Sequence, residues 1–198
     1  MQISLPRPHA ALPAPFAFGA FPTLSTSRLR LRELAWEDRD AVYAFRGDPD
    51  VQRHNSDALQ HIDEAQHFIE SRAVDYKARR AVLWGVTRLR EPGTVIGSVS
   101  LFHWDHRHRH VEIGYELARA AWGQGLAAEA TGAVVAFAFA RLQVHRVEAE
   151  TMAENLRSVR LLERMGFRRE GTRRACVRDA DGTCHDIALY GLLAHEWR

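Results

Sequence analysis

Two features of the sequence could do chemistry. The first is a turn: Trp122-Gly123-Gln124-Gly125-Leu126-Ala127-Ala128 follows directly on an alternating strand pattern and runs into an apolar stripe of helical period. Glycines let backbone approach a ligand closely, and the first N–H groups of a helix lack partners of their own, so the arrangement can hold a phosphate. A bare Gly-x-Gly is equally compatible with a tight turn that holds nothing. The second feature is a set of acids. Over His110–Leu117, Val111, Ile113, Tyr115 and Leu117 alternate with Glu112, Gly114 and Glu116, which puts both carboxylates on one face of a strand. Taken alone, Glu112 reads as a strand carboxylate paired with Arg109 or Arg146. His106, His108 and His110 alternate beside His103, but Arg107 and Arg109 lie between them and repel a cation. A solvated turn or the wall of a binding site suits them better than a metal, and no metal is expected.

Composition narrows the chemistry further. The chain has 198 residues, 27 Lys+Arg against 25 Asp+Glu, and 46% hydrophobic residues, which suits one domain with a sizeable core. Lys77 is the only lysine, so the other 26 basic residues are arginines. That removes a Schiff-base lysine and the phosphate loop ending in Gly-Lys-Ser/Thr. The near-neutral balance argues against a nucleic-acid partner, which would call for a large positive excess. Cys176 and Cys184 are too few for a disulfide framework, so a reduced compartment, the cytoplasm, is expected. No run of eighteen apolar residues suggests a membrane span. Pro6, Pro8, Pro13, Pro15 and Pro22 mark residues 1–22 as an extended leader before a domain at 23–198.

The elements that must position the turn and the acids follow from periodicity. A strand with one wet face is expected over 24–32, a helix from Trp36 ended by Gly47-Asp48-Pro49, and a helix over Ile62–Lys77. Strands at 81–89 and 95–103 flank Glu91-Pro92-Gly93-Thr94, which suits a type II turn. The strand at His110–Leu117, a helix from Leu126 to about Arg141 and a strand at 145–152 come next. A helix over 155–165 closes at Gly166, and two strands are joined by Asp181-Gly182. This order implies one α+β, or layered α/β, domain. A dinucleotide fingerprint would accept Ala128 and use Glu148 or Glu150 as its acid, but the turn follows a meander rather than an opening βαβ unit.

The strings EIGYELARAAWGQGLAAEAT, HRVEAETMAENLRSVRLLERMGFRREG and LYGLLAHEW, in this order, resemble the GCN5-related N-acetyltransferases (GNAT), in particular the Rim-type branch that acetylates ribosomal-protein N-termini. The resemblance covers about residues 24–197. It implies the family's acyl-CoA fold, a mixed and mostly antiparallel sheet of six to seven strands with helices on both faces, and acetyl-CoA as co-substrate. The amides of Gln124, Gly125, Leu126, Ala127 and Ala128 would bind pyrophosphate, and a bulged strand at 114–117, including Tyr115 and Leu117, would pair with the pantetheine arm. Asn155 would bond the pantetheine amide. Trp122 stands where the broad family has Arg or Gln, which marks the Rim-type branch. Leu162 stands where many relatives have an acid-donating Tyr, and Ser158 is the branch's substitute.

For the chemistry so implied, Glu112 is the candidate base, with Glu150 and His110 in reserve, and Ser158 donates to the leaving sulfur. N–H groups near Leu117 would polarise the thioester carbonyl. One of Arg157, Arg160 and Arg164 could meet the CoA 3′-phosphate. The expected activity is transfer of acetyl to an amine, a protein N-terminus first. The alternatives are a polyamine or aminoglycoside in a pocket made acidic by Glu112, Glu116, Glu150 and Asp57, or a sensor that binds acetyl-CoA without turnover. Oligomeric state is open, a homodimer included.

Overall fold

The structure is a computed structural model that describes residues 18–55, 57–179 and 181–197. The elements are β1 (Leu24–Ser25), β2 (Leu29–Arg32), α1 (Arg39–Arg46), α2 (Pro49–Gln52), α3 (Ile62–Lys77), β3 (Val82–Arg88), β4 (Glu91–Asp105), β5 (His110–Leu117), α4 (Leu126–Phe137), β6 (Arg146–Met152), α5 (Leu156–Arg164), β7 (Arg168–Arg178) and β8 (Cys184–Leu193). One sheet holds all eight strands in the order β1-β2-β3-β4-β5-β6-β8-β7. Among the described residues, only β5 and β6 pair in parallel.

The sheet has more strands than expected because 24–32 breaks in two. Thr26 Oγ1, Ser27 Oγ and the Arg28 N–H all donate to Glu129 Oε1 of α4, at 2.5, 3.1 and 3.0 Å, and this shared acceptor turns the chain between β1 and β2. The β3–β4 turn also differs. Arg88 pairs with Glu91, so the reversal is at Leu89-Arg90, and Pro92-Gly93-Thr94 sits in an irregular stretch before Thr87 pairs with Val95. Proline cannot donate to a ladder, which makes a bulge a natural place for it. Beyond Gly47, Asp48 caps the short α2, its side chain accepting from Asp50 N at 2.9 Å with Pro49 in the first turn. The helix expected to reach Arg141 loosens into a π-turn at Ala138–Leu142 and stops at Gln143, which has φ 55°.

Helices cover both faces. Leu126, Ala130 and Val134 of α4 and Leu162 of α5 join Trp84, Leu101, Val111 and Ile113 in the main core. On the other face, Val42 and Phe45 of α1 and Ala65 and Ile69 of α3 pack on Leu83 and Val95. Phe18 and Phe21 lie against Tyr76 at 5.2 and 4.8 Å between ring centres, and Trp84 Nε1 donates to Pro22 O at 2.6 Å. The last residues of the expected leader therefore rest on the core, while 1–17 lie outside the described residues. No helix among the described residues is long and apolar enough to cross a membrane.

The site is set by how β5 and β6 part. They pair only at His110–Arg146, Val111–Val147 and Glu112–Glu148. Past Glu112, β5 stays with β4 as far as Leu117, and β6 stays with β8 as far as Met152. Each strand follows its antiparallel neighbour and the sheet's twist carries them apart. A wedge opens from Glu112, and among the described residues no strand pairs with the β6-facing edge of β5 at 113–117.

Candidate active site

The glycine turn stands beside the wedge. After β5, Trp122 Nε1 donates to Leu117 O at 2.7 Å, and Arg157 of α5 lies 4.3 Å from the indole centre. A guanidinium over an indole face is a favourable cation–π pair, so Trp122 ties the end of β5 to α5. The amino acid that departs from the broad family thus supports the turn and carries a positive charge beside it. Gly123 and Gly125 both have φ +73°, a conformation that penalises any side chain. A Cβ on Gly123 would meet nothing within 4 Å, so that side of the turn is open. The first bond of α4 is from Glu129 N to Gly125 O at 3.1 Å. The N–H groups of Leu126, Ala127 and Ala128 therefore have no intrahelical acceptor.

Gln124 contributes differently from its neighbours. Its side chain donates to Ala120 O at 2.8 Å and accepts from Arg88 at 3.2 Å, while its carbonyl accepts from Arg28 at 2.9 Å. The side chain is a brace, which leaves the backbone N–H for a ligand. From Ala128 a cavity of about 700 Å³ extends past Gly132, Arg164, Gly166, Arg168 and Trp197.

On the α4–α5 face of the wedge, Tyr115 of β5 meets Ser158 of α5, with 2.7 Å between Tyr115 Oη and Ser158 Oγ. Burial pushes the Tyr115 phenol up to about 12, with the Ser158 hydrogen bond acting in the other direction. Asn155 caps α5 by accepting from Ser158 N at 3.2 Å, so its carbonyl oxygen serves the fold and its amide group is the end left for a ligand. Leu162 is fully buried, and its aliphatic side chain donates no proton.

Glu112 lies on the opposite face. Its partner is His103, with 3.0 Å between Oε2 and Nδ1, and not the expected Arg109 or Arg146. Arg109 donates to Gln143 O, and Arg146 holds Glu148 and Glu170. Burial first, and the nearby Glu150 and Glu148 charges after it, raise the Glu112 carboxyl above its ordinary 4.5, with His103 partly offsetting the rise. The other acids on this face are occupied. Arg173 pairs with Glu150, and Glu116 accepts from Arg46, from Ser98 at 3.0 Å and from Gln52 at 2.9 Å. His110 lies between Asp105 at 3.8 Å and Glu148 at 3.4 Å, and His106 stacks on Trp104 with 4.0 Å between ring centres. The histidine run is therefore dispersed among separate partners.

The expected bulge at 114–117 is absent from β5, whose register with β4 runs unbroken from Phe102–Glu112 to Gly97–Leu117. The irregularity lies in β4, where Val86 pairs with Gly97 but Thr87 with Val95. The edge of β5 is freed by parting from β6. Sequence reasoning missed the Tyr115 hydroxyl, the Trp122–Arg157 stack and the His103–Glu112 pair. A tyrosine on an apolar strand face must find a partner for its hydroxyl, and that was the available signal for the first.

Comparison with known proteins agrees with this geometry. The acetyltransferase (GNAT) domain family matches residues 28–168. The uncharacterized N-acetyltransferase YoaA of Bacillus subtilis is 33% identical over 174 residues, 87% of this chain and 97% of that protein. A GNAT-family acetyltransferase structure from Bacillus anthracis superposes with a TM-score of 0.78 at 23% identity, covering 88% of this chain and all of that one. Mycobacterium smegmatis RimJ, solved with CoA-disulfide, gives 0.75 at 22% identity over 85% of this chain and 83% of its own. The chain belongs to the GNAT family of N-acetyltransferases, enzymes that move acetyl from acetyl-CoA to an amine.

Proposed function

We propose that the acceptor is a protein N-terminal α-amine and that Glu112 is the base that frees it. The observation that carries this reading is the place of Glu112: half-buried, with a raised pKa, at the point where β5 and β6 part. An α-amine has a pKa of about 7.7–8.0 against about 10.4 for a lysine-type amine, so a carboxylate suffices for the former far more easily. A polyamine would need uncompensated negative charge, and the arginines on Glu116 and Glu150 take up two of the acids that could supply it.

The residues fit acetyl-CoA as substrate. The open turn at Gly123 and Gly125, the free amides of Leu126, Ala127 and Ala128, and the arginines beside them suit a pyrophosphate. Arg164 in the adjoining cavity suits the 3′-phosphate. Unpaired N–H groups on β5 at 113–117 are available to the pantetheine arm and the reacting carbonyl oxygen, together with the Asn155 amide. Glu112 takes a proton from the amine as nitrogen attacks. Tyr115, the more acidic hydroxyl, donates to Ser158 Oγ, which leaves the Ser158 proton for the departing sulfur.

Thiol release measured with free-N-terminus peptides, polyamines and aminoglycosides tests the reading. Turnover is expected on peptides and is lost when their N-termini are blocked. Turnover confined to polyamines or aminoglycosides would replace the acceptor assignment. Tight acetyl-CoA binding with no release for any amine would favour a sensor. The cytoplasm is the compartment this activity suits.

A further inference from the structure

We propose that His103 is the outlet through which Glu112 passes its proton to solvent. The inference rests on Glu112 being the base. Acetyl transfer from a thioester to an ammonium forms one C–N bond, breaks one C–S bond and strips two protons from nitrogen. One of these returns to the sulfur as thiol, and the other must leave the protein in every turnover. Glu112 is poorly placed to release it directly, because its side chain is only 17% exposed, whereas that of His103 is 78% exposed and 3.0 Å away.

The backbone is shaped to make this contact. Phe102 of β4 pairs directly with Glu112, so the two side chains share a face and His103 would by alternation point to the other. His103 instead has φ +50°, where β4 loses register between Phe102 and Asp105, and this turns its ring back onto the carboxylate. The other charged groups around Glu112 offer no equivalent route. Glu148 and Glu150 of β6 are paired with Arg146 and, from β7, Arg173. His110 is engaged with Asp105 and Glu148, and Glu116 is held by Arg46 of α1. In the relay, Oε2–H of Glu112 gives its proton to His103 Nδ1, and Nε2–H of the exposed ring gives one to water. This leaves a carboxylate and a neutral Nδ1–H imidazole, and tautomeric exchange through water returns the ring to the Nε2–H form before the next turnover.

The test uses the full chain, acetyl-CoA and a free-N-terminus peptide. His103→Asn keeps a residue that tolerates positive φ but cannot titrate. Its kcat is expected to fall about 10-fold in dilute buffer and to recover with added imidazole, against roughly 10²-fold or more for losing the base itself. A His103→Asn enzyme with wild-type kcat at every buffer concentration would overturn the outlet. If Glu112→Gln itself keeps full turnover, the base assignment fails, and it fails whatever His103 does.

Discussion

Tyr115 Oη lies 2.7 Å from Ser158 Oγ, joining the middle of β5 to the first turn of α5 across the wedge. A thiol has a pKa of about 8.5, so outright proton donation from a phenol near 12 would be uphill by about 5 kcal/mol. In the proposed mechanism the pair would therefore act by hydrogen bonding to charge as it develops on sulfur, with Ser158 as the direct donor. Ser158→Ala should lower kcat about 10- to 100-fold with little change in KM for acetyl-CoA. Tyr115→Phe should cost less, and the double variant should be no worse than Ser158→Ala, because Tyr115 acts through Ser158. Additive losses in thiol-release assays would show two independent roles.

The raised pKa of Glu112 has a consequence for stability as well as rate. A carboxyl whose folded pKa lies above 4.5 binds its proton more tightly in the folded state. Stability from this group is thus fully present below pH 4.5 and lost as pH rises through the folded value. At pH 7.5 Glu112→Gln should therefore raise Tm while abolishing turnover, and the gain should vanish near pH 4. Scanning calorimetry at the two pH values checks the sign, and a lower Tm at pH 7.5 would contradict it. The same ionisation should place the acid limb of kcat/KM above the ordinary carboxylate range.

Glu116 and Arg46 make a buried pair that ties β5 to α1, with side chains 8% and 16% exposed. Removing one member strands the other, a loss of about 3–5 kcal/mol when a buried charge is left without its partner. Arg46→Ala should show this in chemical denaturation, and Arg46→Met combined with Glu116→Gln should recover most of it. If the single variant unfolds at the wild-type denaturant midpoint, the pair contributes little to holding the α1–α2 cover in place.

What could be read from sequence divides along physical lines. The strand–turn–helix order around Gly123 and Gly125 was legible because positive φ and helical period leave local marks. Glu112, Asn155 and Ser158 were singled out only through the resemblance. Their partners come from distant elements: His103 reaches Glu112 through a backbone reversal of side, and Tyr115 reaches Ser158 across the wedge. The split of 24–32 was equally hidden, because the acceptor that causes it, Glu129, is about a hundred residues away. The freeing of the β5 edge was expected from a bulge and arises from strand divergence, a property of the whole sheet that no local pattern records.

The glycine turn allows strain and ligand contact to be separated. Gly123 and Gly182 both hold positive φ, +73° and +93°, but Gly123 is in the turn before α4 and Gly182 in the β7–β8 hairpin. An alanine at either position costs about 1–2 kcal/mol of backbone strain, so Tm should fall comparably in Gly123→Ala and Gly182→Ala. Only Gly123→Ala also puts a methyl group on the open side of the turn, where the pyrophosphate is proposed to lie. Calorimetric titration with CoA should show Kd raised about 10-fold or more for Gly123→Ala, the equivalent of about 1.4 kcal/mol, and unchanged for Gly182→Ala. Equal CoA affinity in the two variants would move the pyrophosphate away from this turn.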